Sequence, residues 1–261
     1  MTIDYKHQYY EQIKPDYKAF DDGIPEFWQM KYLDRWATIL ELLPADKVID
    51  ISVLDVGCGL GRACKHFNGY GAECLGVEPA EYAAGVARDR GIAVINDYFE
   101  DAEIEGEFDV IHIEQVLSHT PIVQPVLNKA YKLLKPGGVL VVEEPNDGNQ
   151  LQKCLEGTYG KYWITEDHAN YFNFRSMEEL LEKTGFKVEV KSCTYPMEFF
   201  ALMGFKYIGN ETIGKMVHGL RYKLLEGMGR DARERLLRYY AKQGLGRDMV
   251  LFANKGVVKN G

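Results

Sequence analysis

The chain has 261 residues, of which 46% are hydrophobic and 27% are charged, as in an ordinary globular protein. This composition excludes a disordered or fibrous chain, and the length is sufficient to bury a core without disulfides or metal ions. The 31 Lys and Arg residues against 39 Asp and Glu residues give a formal net charge of −8. That balance disfavours a nucleic-acid partner, because proteins that bind nucleic acids non-specifically are usually basic.

The first 45 residues are rich in aromatic side chains and are predicted to form a helical cap. Their apolar residues recur at helical intervals before Pro44 ends the pattern: Phe27, Met30, Leu33, Leu40 and Leu43.

From residue 51 onward, short apolar segments alternate with helical patterns. Seven segments have the composition of strands: 51–56, 73–78, 92–95, 108–113, 139–145, 187–194 and 248–256. Helical patterns follow the first, second, fourth and fifth of these segments. The one at 176–186 has Ser176 as its predicted N-cap and Glu179 three positions later, the spacing of a capping box. The alternation predicts an α/β fold with a mostly parallel sheet and helices on both faces.

Two segments interrupt the alternation, and both are longer than an ordinary loop. Residues 146–175 separate the fifth strand from its helix, and residues 195–247 separate the last two strands. Each contains apolar periodicity, with helical patterns at 196–209 and 232–244, so we expect folded insertions on the substrate side. Nothing in the sequence marks a domain boundary, and a single domain over 1–261 is predicted.

The sequence also predicts where in the cell the protein is located. The amino terminus lacks the features of a secretory signal, and no stretch approaches the ~18 apolar residues of a membrane-spanning helix. The five cysteines are odd in number and include no C-x-x-C pair, which indicates free thiols in a reducing environment. We therefore expect a cytoplasmic protein without a membrane partner.

The most informative motif is the glycine cluster after the first strand. Gly57, Gly59 and Gly61 predict a tight turn in which backbone N–H groups can approach a ligand at the sheet edge. A dinucleotide site would need the spacing G-x-G-x-x-G, whereas here the third glycine comes one position early. Glu78 ends the second strand, where an acidic side chain can accept hydrogen bonds from both hydroxyls of a ribose.

These motifs together resemble the class I S-adenosylmethionine-dependent methyltransferases, closely over residues 50–145 and more loosely beyond. The resemblance is carried by five segments: DVGCGLG (55–61), GVEP (76–79), NDYF (96–99), FDVIHIEQVLSH (108–119) and LLKPGGVLVVEEP (133–145). It implies S-adenosylmethionine as cofactor and a Rossmann-like, seven-stranded sheet whose last strand runs antiparallel.

The resemblance also implies roles for individual residues. Asp55 and the glycine turn would receive the methionyl part of the cofactor, and Glu78 would bind the ribose hydroxyls. Asp97 and Tyr98 would flank the adenine, while Glu114 and Gln115 would line the methionyl side after the fourth strand.

Two histidines are candidates for acid–base chemistry. A hydroxyl acceptor loses its proton during methyl transfer, which favours a histidine or carboxylate within reach. His119 follows the fourth strand, and His168 lies in a polar loop whose His-x-Asn-Tyr-Phe pattern resembles that of small-molecule methyltransferases, including those acting on sugars. Each histidine could instead have only a structural role. The similar ubiquinone-pathway O-methyltransferases have a Glu-x-x-Glu-His metal motif here. Gln115 and Ser118 replace its two acids in this chain, so no metal site is predicted.

The second insertion has an unusual charge. Residues 205–247 contain ten Lys and Arg but only four acids. Guanidinium groups bind phosphate well, so the acceptor could carry phosphate, although a solvated basic helix face would show the same pattern.

The sequence thus predicts methyl transfer to a hydroxyl oxygen of a small molecule, a sugar or a nucleotide-linked sugar in particular. Two alternatives stay open: a tRNA-modifying methyltransferase, in which the basic insertion would hold the phosphate backbone, and a cofactor-binding subunit without chemistry of its own. An N-methyltransferase of nucleobases or amides is disfavoured, because IEQVLSH stands where a Pro-Pro-Tyr element would be expected.

Overall fold

One seven-stranded sheet forms the centre of the structure, a computed structural model that describes Lys6, residues 25–147 and residues 149–255. The strands in chain order are β1 (Ser52–Val56), β2 (Glu73–Val77), β3 (Ala93–Ile95), β4 (Phe108–Glu114), β5 (Leu134–Pro145), β6 (Phe186–Cys193) and β7 (Asp248–Lys255). Their order across the sheet is β3-β2-β1-β4-β5-β7-β6.

Only β7 runs against its neighbours in this sheet. It pairs antiparallel with both β5 and β6, whereas the pairs among β1 to β5 are all parallel. The predicted fold class is therefore confirmed, including the antiparallel last strand. Because parallel strands end at the same edge, the carboxyl ends of β1, β2 and β4 bring their loops together in one crevice.

Helices cover both faces of the sheet. In chain order they are α1 (Pro25–Leu42), α2 (Arg62–Gly69), α3 (Glu81–Asp89), α4 (Val123–Leu133), α5 (Gln150–Tyr159), α6 (Phe174–Thr184), α7 (Glu198–Leu202), α8 (Glu211–Gly227) and α9 (Arg230–Lys242). None of these helices combines the length and apolar character needed to cross a bilayer. All five cysteines are free thiols, as predicted.

The side chains of each strand alternate between two apolar cores. Ile111 and Leu140 point to the face covered by α4 and α6, while Val110 and Val139 point to the face covered by α1 and α2. Strands buried on both faces explain why the sequence shows continuous apolar runs instead of alternating ones.

Helix α1 lies within the predicted helical cap. Its buried side is formed by Trp28, Tyr32, Trp36 and Ile39, whereas Leu33, one of the apolar residues that indicated the helix, is 47% exposed. The four buried residues repeat every three or four positions, as in a helix with one face on the core. The predicted cap over residues 1–24 lies outside the described residues, apart from Lys6.

One local prediction, the N-cap of α6, was wrong. Helix α6 begins at Phe174 with Asn173 as its N-cap, and Ser176 is the third helical residue instead of the cap itself. The capping box exists between Asn173 and Ser176, since each side chain accepts a hydrogen bond from the other's backbone N–H group. Helices α5 and α8, one in each predicted insertion, were not located from the sequence.

Candidate active site

The glycine turn begins directly after β1 and leads into α2. Gly57, Gly59 and Gly61 all have positive φ angles, of 67°, 53° and 77°, which side chains rarely tolerate. Space is also restricted: a Cβ atom at Gly57 would lie 2.4 Å from Cγ2 of Val116. The turn is therefore packed directly against the segment that follows β4.

Glu78 is joined to this turn by hydrogen bonds. Its carboxylate accepts one from the backbone N–H group of Gly59 (2.9 Å) and one from that of Ala80 (2.9 Å). The residue is only 5% exposed, and burial raises the pKa of its carboxyl group to about 7, although the two N–H groups act in the opposite direction. Each carboxylate oxygen retains a second lone pair for a ligand hydroxyl.

Asp97 and Tyr98 lie after β3, at the next position along the sheet edge. The ammonium group of Lys6 donates to Asp97 (2.9 Å) and lies 5.1 Å from the centroid of the Tyr98 ring. The hydrogen bond from Lys6 lowers the pKa of Asp97. Both residues that were predicted to flank the adenine thus contact the same lysine.

The carboxylate of Glu144 fixes the segment that follows β4. Glu144 is fully buried and accepts hydrogen bonds from the backbone N–H groups of Val116 (2.8 Å), Leu117 (2.7 Å) and Ser118 (3.1 Å). Burial raises the pKa of this carboxyl group to about 7, against the effect of the hydrogen bonds it accepts. The segment that leads to His119 is therefore anchored to β5.

The two candidate histidines lie next to each other. The ring centroids of His119 and His168 are 4.7 Å apart, with the planes nearly perpendicular at 74°. The Nδ1 atom of His119 is 2.8 Å from the backbone carbonyl oxygen of Asp167. Metal-capable atoms of His119, Asp167 and His168 all lie within 4.8 Å of one another. The residues the sequence offered as alternatives thus form one half-buried cluster.

Backbone hydrogen bonds hold the loop of His168 against the segment of His119. The N–H groups of Ala169 (2.8 Å) and Asn170 (3.0 Å) both donate to the carbonyl of Ser118, and the Asn170 side chain donates to the carbonyl of Thr120 (2.6 Å). The cluster is therefore fixed at the carboxyl edge of the sheet by the protein itself.

Three residues of α1 make an ionic network that the sequence reasoning missed. Lys31 donates to Glu114 (2.7 Å) and Glu143 (2.8 Å), Arg35 pairs with the same two carboxylates, and the Tyr32 hydroxyl donates to Glu114 (3.0 Å). Burial alone would raise the pKa of Glu114, but the charges of Lys31 and Arg35 outweigh it and hold that pKa well below its usual range. The carboxylate of Glu114, predicted to line the methionyl side, is thus directed towards α1.

The same network reaches Asp55 through His112. Arg35 donates to Nε2 of His112 (2.6 Å), so Nδ1 of that ring carries its proton and donates to Asp55 (2.7 Å). His112 is fully buried and Asp55 is 2% exposed. Asp55, two residues before the glycine turn, is therefore held by His112. Gln115 has a φ of 58°, and its side chain donates to Asp248 (3.4 Å).

The basic insertion does not present one exposed cationic face. Arg233 pairs with Asp34 (2.6 Å), Arg230 with Glu41 (3.0 Å), Arg238 with Glu234 (2.7 Å) and Lys215 with Glu211 (2.6 Å). Two of the cations thus pair with acids of α1, and two pair with acids of the insertion itself.

A signal for the network was present in the sequence. Lys31 and Arg35 are four positions apart, on the same side of α1 as Trp28 and Tyr32. Cations on the apolar side of a helix require carboxylates opposite them, and the adjacent glutamates of VVEEP are the available partners.

The chain is similar in sequence to known proteins. A family profile described as "Methyltransferase domain" matches residues 28–190. C-methyltransferase NovU of Streptomyces niveus is 32% identical over 189 residues, which is 67% of this chain and 43% of that protein. A ubiquinone biosynthesis O-methyltransferase of Bradyrhizobium sp. is 33% identical over 139 residues, covering 50% of this chain and 54% of the relative. The chain thus matches about half the length of these relatives.

Solved structures share the fold. Magnesium protoporphyrin IX methyltransferase of Synechocystis, determined with bound SAH, superposes with a TM-score of 0.60 at 13% identity, over 95% of this chain and 97% of that one. A SAM-dependent methyltransferase of Archaeoglobus fulgidus gives 0.59 at 18% identity, over 92% and 99% of the two chains.

Proposed function

This chain belongs to the family of S-adenosylmethionine-dependent methyltransferases, and from that premise we propose that it methylates a hydroxyl oxygen of a small molecule, a sugar or a nucleotide-linked sugar. The observation that carries the proposal is the pair His119 and His168, 4.7 Å apart at the carboxyl edge of the sheet. An acceptor hydroxyl there would have a base within reach.

The residues at the glycine turn fit this cofactor. Glu78 is a buried carboxylate held by the turn itself, and its remaining lone pairs suit the two hydroxyls of a ribose. Positive φ at Gly57 and Gly59 keeps side chains out of the crevice beside it. Asp97 and Tyr98 would flank the adenine, and the turn would face the methionyl part. Asp55, Glu114 and Gln115 would shape that end from below.

When bound, the cofactor supplies an electrophilic methyl group: its S–CH3 bond breaks, an O–CH3 bond forms, and S-adenosylhomocysteine leaves with the electron pair. The protein's own residues must orient the acceptor and remove its proton. Because the carbonyl of Asp167 can only accept, Nδ1 of His119 carries a proton and Nε2 bears the basic lone pair. The acceptor proton passes to that histidine cluster.

Methylation of carbon is the second candidate, because the relative that matches 67% of this chain is named a C-methyltransferase. A histidine base could equally remove a proton from carbon beside a carbonyl group.

Isotope labelling separates these candidates. We expect protein incubated with [methyl-13C]S-adenosylmethionine and a panel of hydroxylated sugars and nucleotide sugars to yield a 13C signal in the range of methyl ethers. A signal in the aliphatic range, with solvent deuterium entering the acceptor carbon, would instead assign carbon methylation. Tight cofactor binding with no labelled product from any acceptor, a tRNA pool included, would favour a subunit without chemistry.

The raised pKa of Glu78 gives a prediction for cofactor binding. Ionised Glu78 accepts two hydroxyls, whereas the protonated form loses one acceptor site, so affinity should fall as the pH drops below about 7. Calorimetry should show Kd for S-adenosylmethionine increasing roughly tenfold between about pH 8 and about pH 6. Glu78→Gln should bind weakly with no such dependence, while Glu81→Gln, an exposed neighbour, should behave as wild type.

The stability of the ligand-free protein should depend on pH in the opposite direction, decreasing as the pH rises. The pKa of Glu78 is raised from 4.5 to about 7 on folding, so its stabilising contribution is complete below about pH 4.5 and is lost as the pH rises through about 7. An identical pH dependence of cofactor affinity in wild type and Glu78→Gln would show that this carboxylate does not hold the ribose.

A further inference from the structure

A cleft opens beside the network of α1, bounded by α1, the carboxyl end of β6, the start of β7, and helices α8 and α9. It encloses about 670 Å³, counted with the volume that is open to solvent. Its wall contains four cations (Lys31, Arg35, Arg221 and Arg233) and three acids (Asp34, Glu143 and Glu234). How these charges pair determines what ligand the cleft can accept.

Most of the lining charges are matched within the protein. Lys31 and Arg35 both pair with Glu143, Arg233 holds Asp34 through two hydrogen bonds of 2.6 and 2.7 Å, and Glu234 pairs with Arg238. Among the described residues, Arg221 is the lining cation that makes no ion pair with a carboxylate.

Arg221 is nevertheless buried, with 7% of its surface exposed. Its Nε atom is inaccessible and has no hydrogen-bond partner among the described residues, and the guanidinium carbon lies 4.5 Å from the centroid of the Phe27 ring. Stacking on a ring leaves the edge of the guanidinium plane directed elsewhere. Burying an arginine without a carboxylate partner costs free energy, because the charge loses its hydration and gains no ion pair.

Arg247 adds positive charge near Arg221. Burial, followed by the charge of Arg247, lowers the pKa of Arg221 to about 10, although the carboxylates of Asp248 and Glu143 act in the opposite direction. Burial and the charges of Arg221 and Arg247 lower the pKa of His218, one turn earlier on α8, to about 4. Nδ1 of His218 and the hydroxyl of Tyr207 are further buried polar atoms without a partner among the described residues. An incoming anion would relieve this excess.

The cleft is connected to the methyl-transfer segment. Thr194, in its wall, donates to Asp248 (2.8 Å), and Gln115 donates to the other oxygen of that carboxylate (3.4 Å). Gln115 precedes His119 by four positions. Hydrogen bonds thus join the wall of the cleft to the segment that contains His119.

We propose that this cleft binds an anionic group of the methyl acceptor, a carboxylate or a phosphate, with Arg221 as its principal ligand. The guanidinium plane offers paired N–H donors with the geometry that both groups prefer. The assignment of the anion to the acceptor rests on the proposed function, whereas anion binding itself does not. The sequence indicates that the basic insertion could bind phosphate, and we assign that binding to Arg221 alone.

Binding of simple anions tests the proposal without any methyl transfer. Purified protein is titrated with sodium phosphate, uridine diphosphate and succinate, with sodium chloride at equal ionic strength as reference, and unfolding temperature and calorimetric Kd are recorded. We expect at least one of these anions to raise the unfolding temperature more than chloride does. A response to phosphate or uridine diphosphate would indicate phosphate recognition, and a response to succinate would indicate carboxylate recognition.

Substitutions identify the ligand residue. Arg221→Met should increase the Kd of the anion by about tenfold or more, because a charged hydrogen bond is lost. Arg235→Met, which removes the same charge from an exposed position on α9, should bind as wild type. Arg221→Gln repeats the test in case Met closes the cleft. Equal affinity in Arg221→Met and wild type, or no anion effect beyond chloride in wild type, would overturn the proposal. Failure of the labelling experiment alone would leave it standing.

Discussion

His119→Ala should lower kcat by about 100-fold or more, the range expected for loss of a positioned general base, while Kd for S-adenosylmethionine stays unchanged. His168→Ala should have a comparable effect, because the two rings are 4.7 Å apart and, under the proposed function, would act on the same acceptor. Turnover is measured with the labelled cofactor and cofactor affinity by calorimetry. The double variant should lose little more than either single variant, as in groups that act as one unit.

A conservative variant separates chemistry from loop support. The side-chain amide of His119→Asn can still donate to the carbonyl of Asp167, the bond that Nδ1 makes at 2.8 Å, but it has no counterpart of Nε2. If His119 serves as a base, Asn and Ala should be equally inactive. Near-normal turnover in His119→Asn would show that the residue only anchors the 165–171 loop, and the base would then be sought elsewhere.

Arg35→Met should reduce the free energy of unfolding by about 3–5 kcal/mol, as expected when one partner of a buried ion pair is removed. Arg35 is 5% exposed and contacts Glu114, Glu143 and His112. Its loss leaves two carboxylates to share the single ammonium group of Lys31. Denaturant unfolding followed by circular dichroism measures the change.

Arg175→Met is the matched control, because it removes the same charge from an exposed pair with Glu179, and its unfolding should be close to that of wild type. The pH dependence gives a second check. Since the pKa of Glu114 is depressed below 4.5, its contribution is present above about pH 4.5 and is lost as the pH falls. Arg35→Met should be less acid-sensitive than wild type. Equal losses in both Met variants would refute the network's role.

Much of the fold could be predicted from the sequence because it is encoded locally. Each strand is a short apolar run, and glycine and proline residues mark the turns between strands and helices. The glycine turn could be located for the same reason, since three glycines within five positions have few other uses. Glu78 was recognisable because its spacing from that turn is fixed by one helix and one strand.

The remaining features depend on pairings between distant segments. Arg35 and Glu143 are 108 positions apart, and nothing local to either residue indicates the other. The role of Glu144 depends on a neighbouring strand presenting three N–H groups, which periodicity cannot show. The N-cap of α6 was misplaced because Asn173 and Ser176 are both good caps, and the choice between them depends on where the preceding loop is held.

The contact between Gly57 and Val116 restricts how this protein could be redesigned. The Val116 side chain lies where a side chain at position 57 would have to go, so enlarging either residue would push the glycine bend and the peptide after β4 apart. Changes intended to broaden the range of acceptors would therefore disturb cofactor recognition if made at Val116. Tyr171 is an exposed side chain whose ring centroid lies 5.7 Å from that of His168, so the acceptor range could be altered there instead.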